Sequence, residues 1–447
     1  MYATRNPYTN EIEKTFLTAN DAVVLNVLES LNEGFKFWSR DSLLQRLSFL
    51  PRLSNLLTQR KLEFATLIAT EMGKPIAQGE AEILKCAQLC DYYFLNAEKY
   101  LNSESFHVYI QGLGVILGIM PWNFPFWQVL RFAIPTLLVG NTVLFKHSPN
   151  TPQCALAVED LFRSSGLDQL VIQSIFVDNE QAKFILEHPI VKGVSLTGSE
   201  KAGRAVASIA GAQLKPMVME LGGSDPFIIC QDASLEAAID AALNTRCLNA
   251  GQTCIAGKRF IVQNTIKDAF VEGLIERLAT FQLGDPLDRD IHMGPLARTD
   301  LKENLARQVK KSVSLGANLI YEHTFDHDNT NFYPPSILTN LTDYMPIWTE
   351  ETFGPVYAVR EFETVDEAID LANDTPYGLG ASVWTQDEIK ANYFINAIDA
   401  GNVFVNAIVK SSPNLPFGGV KNSGFGRELG KFGLLSFANI KTVQSSF

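Results

Sequence analysis

Residues 114–120 read GVILGIM, and three further runs of the same kind follow: NTVLFK at 141–146, VIQSIFV at 171–177 and VKGVSLTG at 191–198. Each run is short and rich in valine, isoleucine and leucine, which is typical of a strand buried on both faces. The segments between them, such as TPQCALAVEDLFRSS at 151–165, have the apolar spacing of helices. Strands that alternate with helices predict an α/β fold with a doubly wound parallel sheet, which binds ligands at the carboxyl ends of its strands.

The pattern extends on both sides of this segment. Apolar residues between 22 and 99 recur every three or four positions, which predicts amphipathic helices separated at Pro51 and Gly73. A second alternation begins near Pro226 and predicts these elements: strands PFIIC, RFIVQN, VWT and NVFVN, and helices over 235–249 and 266–278. The chain is therefore predicted to contain two doubly wound α/β lobes in series.

The composition excludes several classes of protein. A chain of 447 residues with 46% hydrophobic and 19% charged residues is typical of a globular protein with two or three lobes. The formal charge of −12 disfavours nucleic acid and anionic membranes as partners, because both need a positive surface. The most apolar stretch, 132–145, is shorter than a bilayer crossing and contains Pro135 and Gly140, so no membrane span is expected.

The amino terminus and the cysteines predict a cytoplasmic protein without a metal. The first residues, MYATRNPYTNEIEK, contain no apolar core flanked by basic residues, so no secretory signal is expected. The six cysteines form no CxxC pair and have no histidine partners at zinc spacing. Cys86 and Cys90 could share one helical face as a metal pair, but core packing is the favoured interpretation.

Two stretches place a reactive type of side chain where local rules are broken. In LNAGQTCIAGKRF, residues 248–260, glycines on both sides of Cys254 would let the backbone approach a ligand, so Cys254 is either a nucleophile or one more buried thiol. In KPMVMELGGSDPFIIC, residues 215–230, Glu220 ends an apolar strand. Partial burial would raise the pKa of this carboxyl towards that of a general base, whereas a solvent-facing carboxylate is the alternative.

Two further stretches are suited to holding a ligand. In IMPWNFPFWQ, residues 119–128, Asn123 lies in a rigid wall of prolines and aromatic residues and is either a fixed hydrogen-bond donor or part of a structural loop. In VSLTGSEKAGR, residues 194–204, a strand leads through Gly198 and Ser199 into a helix, whose N-terminus can bind phosphate. The spacing is not GxGxxG, so this motif alone is a weak signal.

Taken together, these stretches resemble the aldehyde dehydrogenase superfamily along essentially the whole chain. The matching segments, in family order, are PWNFP at 121–125, LFK at 144–146, TGS at 197–199, ELGG at 220–223, GQTC at 251–254, EETFGPV at 350–356 and PFGGVKNSGFGRE at 416–428. The resemblance implies three parts: a Rossmann-like cofactor domain (1–94 and 113–222), a catalytic domain (223–420) and a small oligomerisation hairpin (95–112 and 434–447).

The resemblance also implies a reaction, the oxidation of an aldehyde to a carboxylic acid. Cys254 would attack the aldehyde to form a thiohemiacetal, and Asn123 with the Cys254 backbone N–H would form the oxyanion hole. Glu220 would activate the water that hydrolyses the resulting thioester. A protein that keeps the fold without catalysis would have lost the nucleophile or the base, and both are present.

A nicotinamide cofactor is implied by a second set of matches. Lys146 and Glu351 match residues that hold the two riboses, Ser199 with Gly198 matches a pyrophosphate contact, and the remaining cofactor contacts are Trp122, Leu221 and Phe353. A cysteine hydrolase without this cofactor would have no use for that set. NAD is expected by analogy, and NADP is the alternative, because Pro149 stands where strongly NAD-selective relatives place a glutamate.

The substrate is expected to be a short carboxylated aldehyde. Arg131 resembles the carboxylate-binding arginine of succinate semialdehyde dehydrogenases, and a guanidinium fits a carboxylate through two parallel hydrogen bonds. A surface or inter-lobe ion pair is the alternative role for Arg131. The other predicted substrate contacts are Phe124 and Phe417 as aromatic walls, and Ser411 and Ser412 as additional donors.

Succinate semialdehyde is thus the leading substrate, with glycolaldehyde, lactaldehyde or aliphatic aldehydes as the alternative. Leu248 stands where some relatives have a second arginine, and the nearest arginine is Arg246. The segment at 102–114 is shorter than the family's usual hairpin, which favours a homodimer, with a tetramer as the alternative.

Overall fold

The structure, a computed structural model, describes residues 2–101, 107–325 and 331–444. Positions 102–106 and 445–447 of the predicted oligomerisation segment lie outside the described residues. Two paired strands and five helices open the described chain: β1 (Tyr2–Arg5), β2 (Ile12–Phe16), α1 (Asp21–Trp38), α2 (Leu43–Leu47), α3 (Leu50–Gln59), α4 (Lys61–Met72) and α5 (Ile76–Leu101). Gly73 ends α4 in the left-handed conformation, and Pro51 lies in the first turn of α3, so both predicted helix breaks are confirmed.

A six-stranded sheet forms the centre of the first lobe. After β3 (Val108–Gly112), strands and helices alternate as predicted: β4 (Val115–Ile119), α6 (Trp127–Leu138), β5 (Thr142–Lys146), α7 (Pro152–Ser164), β6 (Ile172–Ser174), α8 (Asn179–Glu187), β7 (Val191–Thr197), α9 (Glu200–Ala212) and β8 (Met217–Glu220). These strands lie in the order β6-β5-β4-β7-β8 and are all parallel. Residues of β4, β5 and β7 are buried almost throughout, because helices cover both faces.

A second sheet of seven strands forms the other lobe. Its first part comprises β9 (Asp225–Ile229), α10 (Leu235–Cys247), β10 (Gly257–Gln263), α11 (Lys267–Ala279), α12 (Thr299–Ser314), β11 (Asn318–Glu322), β12 (Ser336–Thr339), α13 (Pro346–Thr349) and β13 (Val356–Phe362). Its second part comprises α14 (Val365–Asn373), β15 (Gly380–Trp384), α15 (Glu388–Ala397) and β16 (Asn402–Val405). The short strand β14 (Tyr377–Gly378) lies between α14 and β15 and is not part of the seven-stranded sheet. The order is β11-β12-β13-β10-β9-β15-β16, with β11 antiparallel and the others parallel.

The last elements return the chain to the first lobe. They are β17 (Val420–Lys421), β18 (Gly424–Phe425), α16 (Gly430–Leu435) and β19 (Ala438–Thr442). β18 pairs antiparallel with β8 at the edge of the first sheet, and β19 pairs antiparallel with β3. Two parts of the predicted oligomerisation hairpin, β3 and β19, therefore pair with each other within one chain.

Two features differ from the predicted segment boundaries. Helix α5 runs without a break to Leu101, so the predicted boundary at 94/95 falls inside a helix. Residues 424–425 belong to the first sheet although they lie outside 1–94 and 113–222. Cys86 and Cys90 are buried in the hydrophobic core of the first lobe. Among the described helices, none is long and apolar enough to cross a membrane.

Candidate functional site

Four parallel strands of the first sheet end at the predicted site residues. Trp122 and Asn123 follow β4, Lys146 is the last residue of β5, Ser199 follows β7, and Glu220 is the last residue of β8. The order β5-β4-β7-β8 makes these strands neighbours, and the chain reverses its winding direction between β4 and β7. A crevice at the carboxyl ends of such strands is the usual ligand site of a doubly wound sheet.

The segment before Cys254 has an unusual backbone. Asn249, Ala250 and Gly251 are all left-handed, with φ of 55°, 53° and 73°. A Cβ at position 251 would lie 2.3 Å from the carbonyl oxygen of Gly354, so only glycine fits there. A non-glycine residue in this conformation costs about 1–2 kcal/mol, and such strain is concentrated at functional sites. This bend brings Cys254 to the amino end of β10.

Asn123 is fixed against the nucleophile segment by hydrogen bonds between the lobes. Its Nδ2 donates to the carbonyl oxygen of Gln252 at 2.9 Å. Its own carbonyl oxygen accepts from Asn249 Nδ2 and from Lys74 Nζ, each at 2.9 Å. Among the described residues, the backbone N–H of Cys254 and the second N–H of the Asn123 amide have no acceptor. Two donors are therefore free to stabilise a developing oxyanion.

The Cys254 thiol is only partly exposed, and its surroundings disfavour the anion. Burial raises the pKa of the thiol to about 12. The Lys258 ammonium and then the Arg131 guanidinium oppose this effect. Lys258 Nζ donates to the carbonyl oxygens of Cys254 at 2.6 Å and Thr253 at 3.1 Å. The sequence analysis missed Lys258, because a lysine inside KRFIVQ gives no sign that it folds back onto the cysteine.

Glu220 is a buried carboxyl with an unsatisfied oxygen. Its side chain is 2% exposed, and Oε1 has no hydrogen-bond partner in the described part of the chain. Burial, followed by repulsion from Glu428, raises its pKa well above the usual value, while Arg131 and Arg427 act in the opposite direction. The alternative of a solvent-facing carboxylate is therefore wrong. The structure places no hydrogen bond between Glu220 and Cys254, although Arg131 influences the pKa of both groups.

Arg131 has an anionic partner that the sequence analysis did not foresee. The guanidinium is 2% exposed and forms an ion pair with Glu428, whose other carboxylate oxygen accepts from Ser195 Oγ. It also donates to Thr197 Oγ1 at 3.4 Å and lies over the Phe417 ring at 5.1 Å. The guanidinium is therefore paired inside the protein, because burial of an unpaired guanidinium is expensive. Its contact with a substrate carboxylate stays a prediction.

The other predicted substrate residues, two serines and two phenylalanines, have different neighbours. Ser411 is buried and accepts hydrogen bonds from Lys85 Nζ at 2.8 Å and Trp127 Nε1 at 3.1 Å. Ser412 is half-buried beside it. Phe417 packs beneath Arg131, as noted, whereas the ring of Phe124 is covered by the ammonium of Lys74 at 3.7 Å. Leu248 is 39% exposed and takes no part in this cluster.

Arg246 has a structural environment. Its guanidinium is fully buried and donates to the carbonyl oxygen of Val356 at 2.8 Å and to Thr352 Oγ1 at 2.7 Å. It therefore holds the segment that carries Glu351 and Phe353. The nearest arginine to Leu248 in sequence thus has its described partners in the segment 352–356.

Two contacts join predicted cofactor residues to distant segments of the chain. The rings of Trp122 and Phe353 meet edge to face at 6.3 Å, and Glu351 Oε1 accepts from the Gly223 N–H at 2.8 Å. Burial raises the pKa of Glu351, and Lys258 lowers it. Leu221 packs so closely on α9 that a Cβ at Gly203 would lie 2.5 Å from it.

Polar groups without a partner in the described structure are available to a dinucleotide at the carboxyl ends of the first sheet. The Lys146 side chain is 8% exposed and donates no hydrogen bond to any described residue. The buried Nδ2 of Asn150 also lacks a partner in the described structure. Gly198 and the exposed Ser199 precede α9, and Ser199 Oγ caps the helix by accepting from the Ala202 N–H. The first N–H groups of α9 lie at the carboxyl end of β7. These donors fit ribose hydroxyls and phosphates.

Comparisons with known proteins show the family to which the chain belongs. The sequence profile of the aldehyde dehydrogenase family matches residues 1–443. A probable succinate-semialdehyde dehydrogenase (NADP+) from Synechocystis is 42% identical, with 99% of each chain covered. Succinate-semialdehyde dehydrogenase (NADP+) 1 from Mycobacterium tuberculosis is 43% identical, with the same coverage. A crystal structure of succinic semialdehyde dehydrogenase from Streptococcus pyogenes in complex with NADP+ superposes with a TM-score of 0.96, at 35% identity and 100% coverage of both chains.

Proposed function

The chain belongs to the aldehyde dehydrogenase family, and we propose that it oxidises succinate semialdehyde to succinate with a nicotinamide cofactor. The observation that carries this proposal is the hydrogen bond from Asn123 Nδ2 to the carbonyl oxygen of Gln252, which joins the predicted oxyanion donor to the segment that carries Cys254. The names of the relatives support the substrate, since the two described above are succinate-semialdehyde dehydrogenases. A broader oxidation of uncharged short aldehydes is the alternative, because Arg131 is already paired with Glu428.

Cys254 and Asn123 would perform the first step. The Cys254 sulfur attacks the aldehyde carbon, and the carbonyl oxygen acquires negative charge as the thiohemiacetal forms. The free N–H groups of Cys254 and Asn123 stabilise this oxygen, and removal of one such donor typically costs about 3–4 kcal/mol of transition-state stabilisation. Gln252 and Lys74 hold Asn123 in place for this task. A nicotinamide cofactor, held by residues such as Lys146 and Glu351, would supply the hydride acceptor, and loss of the hydride from the substrate carbon turns the thiohemiacetal into a thioester on Cys254.

Glu220 would perform the second step as a general base. The thioester on Cys254 is hydrolysed when a water molecule loses a proton to Glu220 Oε1, the oxygen without a partner among the described residues. The raised pKa of this carboxyl makes it a stronger base than an exposed glutamate. Succinate then leaves, and the thiol is restored.

We propose NADP+ as the preferred cofactor. The support is the NADP+ named for the relatives and the polar residues that follow β5. Residues 147–150 read HSPN and contain no carboxylate that would repel a 2′-phosphate, while Lys146 and the amide of Asn150 are available donors. The segments 1–94 with 113–222 and 223–420 are retained as the proposed cofactor-binding and catalytic units.

A homodimer is proposed as the assembly in solution. The ribbon formed by β3 and β19 supports it, because Tyr109 and Ile440 are more than half exposed on this ribbon. Exposed apolar residues on an edge ribbon are suited to covering by a second subunit. Sedimentation at twice the 49.5 kDa chain mass is expected, and a monomer at micromolar concentration would contradict the proposal.

A substrate and cofactor panel tests the proposed function. Steady-state rates are measured for succinate semialdehyde, glycolaldehyde, lactaldehyde and butanal, each with NADP+ and with NAD+. The highest kcat/KM is expected for succinate semialdehyde with NADP+. Equal values for butanal and succinate semialdehyde would favour the broader aldehyde dehydrogenase instead.

A further inference from the structure

Strand β1 lies against the segment that follows β5, which contains predicted cofactor residues. The Tyr2 hydroxyl is 3.3 Å from the carbonyl oxygen of His147 and 3.0 Å from that of Val177. The backbone N–H of Ala3 donates to the carbonyl oxygen of Pro149 at 3.0 Å. Consecutive residues of β1 therefore hold the carbonyl groups of two residues after β5.

Thr4 extends this contact to the start of α7. Its buried hydroxyl donates to Glu71 Oε1 at 2.5 Å and accepts from Gln153 Nε2 at 3.1 Å. The Glu71 carboxylate also accepts from the backbone N–H groups of Gln153 and Cys154, each at 2.9 Å. β1 is thus tied to the chain from the end of β5 to α7, whereas its pairing partner β2 is largely exposed.

The Tyr2 ring contacts the cation that ends β5. Lys146 Nζ lies 5.6 Å from the centre of this ring, within the range of a cation–π contact. The ring itself is held by stacking on Phe176, with 4.7 Å between centroids, and Tyr2 is 2% exposed. Because Lys146 donates no hydrogen bond within the described ranges, a ring fixed by packing is a contact that orients its ammonium.

The Tyr2 hydroxyl joins two loops at the carboxyl end of the first sheet. His147 follows β5 and Val177 follows β6, and these two strands are paired neighbours. Burial raises the pKa of Tyr2 to about 12, so the hydroxyl keeps its proton at neutral pH. One proton that lies between two carbonyl oxygens holds both loops in place. The loop after β5 also carries Asn150, whose buried Nδ2 has no partner in the described structure.

We propose that Tyr2 is a positioning residue of the cofactor site, whose hydroxyl fixes segment 147–150 for the adenosine 2′-phosphate of NADP+ and whose ring orients Lys146. This role rests on the proposed function, since it assumes that the segment receives the adenosine half of NADP+. The two parts of the side chain have different effects. Lys146 is predicted to hold a ribose, which NAD+ and NADP+ share, whereas the 2′-phosphate belongs to NADP+ alone.

Tyr2→Phe tests the hydroxyl, because it keeps the ring and its contact with Lys146. The Kd of NADP+ should rise about three- to tenfold, the usual effect of losing one hydrogen bond, and that of NAD+ less than about twofold. Isothermal titration calorimetry without aldehyde measures both constants independently of catalysis. The kcat at saturating NADP+ should stay within about twofold of wild type, because the reacting residues are unchanged. An unchanged Kd for NADP+, or an equal rise for both nucleotides, would overturn the role of the hydroxyl.

Tyr93→Phe is the matched control for the loss of a buried hydroxyl. Tyr93 is fully buried, and its Oη donates to the carbonyl oxygen of Gly430 at 3.2 Å. This variant should lose a similar amount of stability in urea denaturation but bind both nucleotides as the wild type does. If it weakens NADP+ binding as much as Tyr2→Phe, the effect is a general loss of stability and the assignment of Tyr2 is wrong.

Tyr2→Leu tests the ring, because it removes the contact with Lys146 as well as the hydroxyl. NAD+ should bind more weakly to Tyr2→Leu than to Tyr2→Phe, and equal binding would overturn the role of the ring. If the wild-type protein binds neither nucleotide, the proposed function fails and the role of Tyr2 with it. If the wild type binds NADP+ and Tyr2→Phe binds it equally well, only the assignment of Tyr2 fails.

Discussion

At the scale of single residues, the surroundings of Cys254 disfavour the thiolate, which is the reactive form of this side chain. Burial raises the pKa of the thiol to about 12, and the nearest compensation is the ammonium of Lys258. Lys258 Nζ also bonds the carbonyl oxygens of Cys254 and Thr253, so one charge both orients the segment and favours the thiolate. The thiol's reactivity therefore depends on a side chain that does not touch its sulfur.

Removing that ammonium should slow modification of the thiol. Lys258→Met is expected to raise the pKa of Cys254 further and to lower its alkylation rate by iodoacetamide at every pH below that pKa, because the thiolate is the nucleophile. The measurement is the pH profile of alkylation, with peptide mapping to identify Cys254. Lys99→Met serves as the control for a change of one charge. An unchanged profile would show that Lys258 acts on the backbone alone.

Individual site residues could be predicted from the sequence where they lie in a recognisable motif, and not elsewhere. The sequence pointed to Cys254, Glu220 and Asn123 because each lies in a segment of recognisable pattern. Glu428 was not predicted as the partner of Arg131, because the two residues lie far apart in sequence. Their contact depends on how β18 returns to the first sheet. The pair forms because distant segments of the chain bury both side chains. The spacing of residues in the sequence does not predict such burial.

At the scale of elements, helix α6 depends on a carboxylate from α5. Glu82 Oε1 accepts from the backbone N–H groups of Phe126 and Trp127, each at 3.0 Å, and thereby caps the start of α6. The same side chain pairs with Lys74, and both are almost fully buried. Since Lys74 Nζ also holds the carbonyl oxygen of Asn123, one ion pair fixes both the helix and the loop that carries the oxyanion donor.

Breaking this pair should affect both stability and catalysis. Glu82→Gln leaves Lys74 buried without its counter-charge, and loss of one partner of a buried pair typically costs about 3–5 kcal/mol of unfolding free energy. Urea denaturation measures this loss. The double variant Lys74→Met with Glu82→Gln should recover part of the stability but not the activity, because Asn123 loses its support. Additive losses in the double variant would show that the two residues are not coupled.

Most elements followed from periodicity, and the exceptions have physical causes. The apolar runs that become β4, β5 and β7 were predicted because a strand buried on both faces needs uninterrupted apolar residues. The helical pattern predicted up to residue 99 agrees with α5, which ends at Leu101, because no glycine or proline interrupts it after residue 79. The two residues of β18 carry no pattern of their own and are recruited by the edge of β8.

At the scale of the whole molecule, the site is assembled from the carboxyl ends of strands in one sheet and the amino ends of strands in the other. The first sheet contributes the carboxyl ends of β4, β5, β7 and β8, and the second contributes the amino ends of β10 and β13. The hydrogen bond from Asn123 to Gln252 joins these two sets of strand ends directly. Two α/β lobes were predictable from the alternation of elements, but their relative placement was not, because it depends on contacts between segments more than one hundred residues apart.

The central claim is that Cys254 carries the acyl group and that Glu220 directs its hydrolysis. The most direct test mixes the Glu220→Gln enzyme with succinate semialdehyde and NADP+ and then maps modified peptides by mass spectrometry. A single succinyl group should accumulate on the peptide that contains Cys254, together with a burst of NADPH. Continued product formation in Cys254→Ala, or a Glu220→Gln enzyme that turns over at the wild-type rate without any adduct on Cys254, would contradict the account.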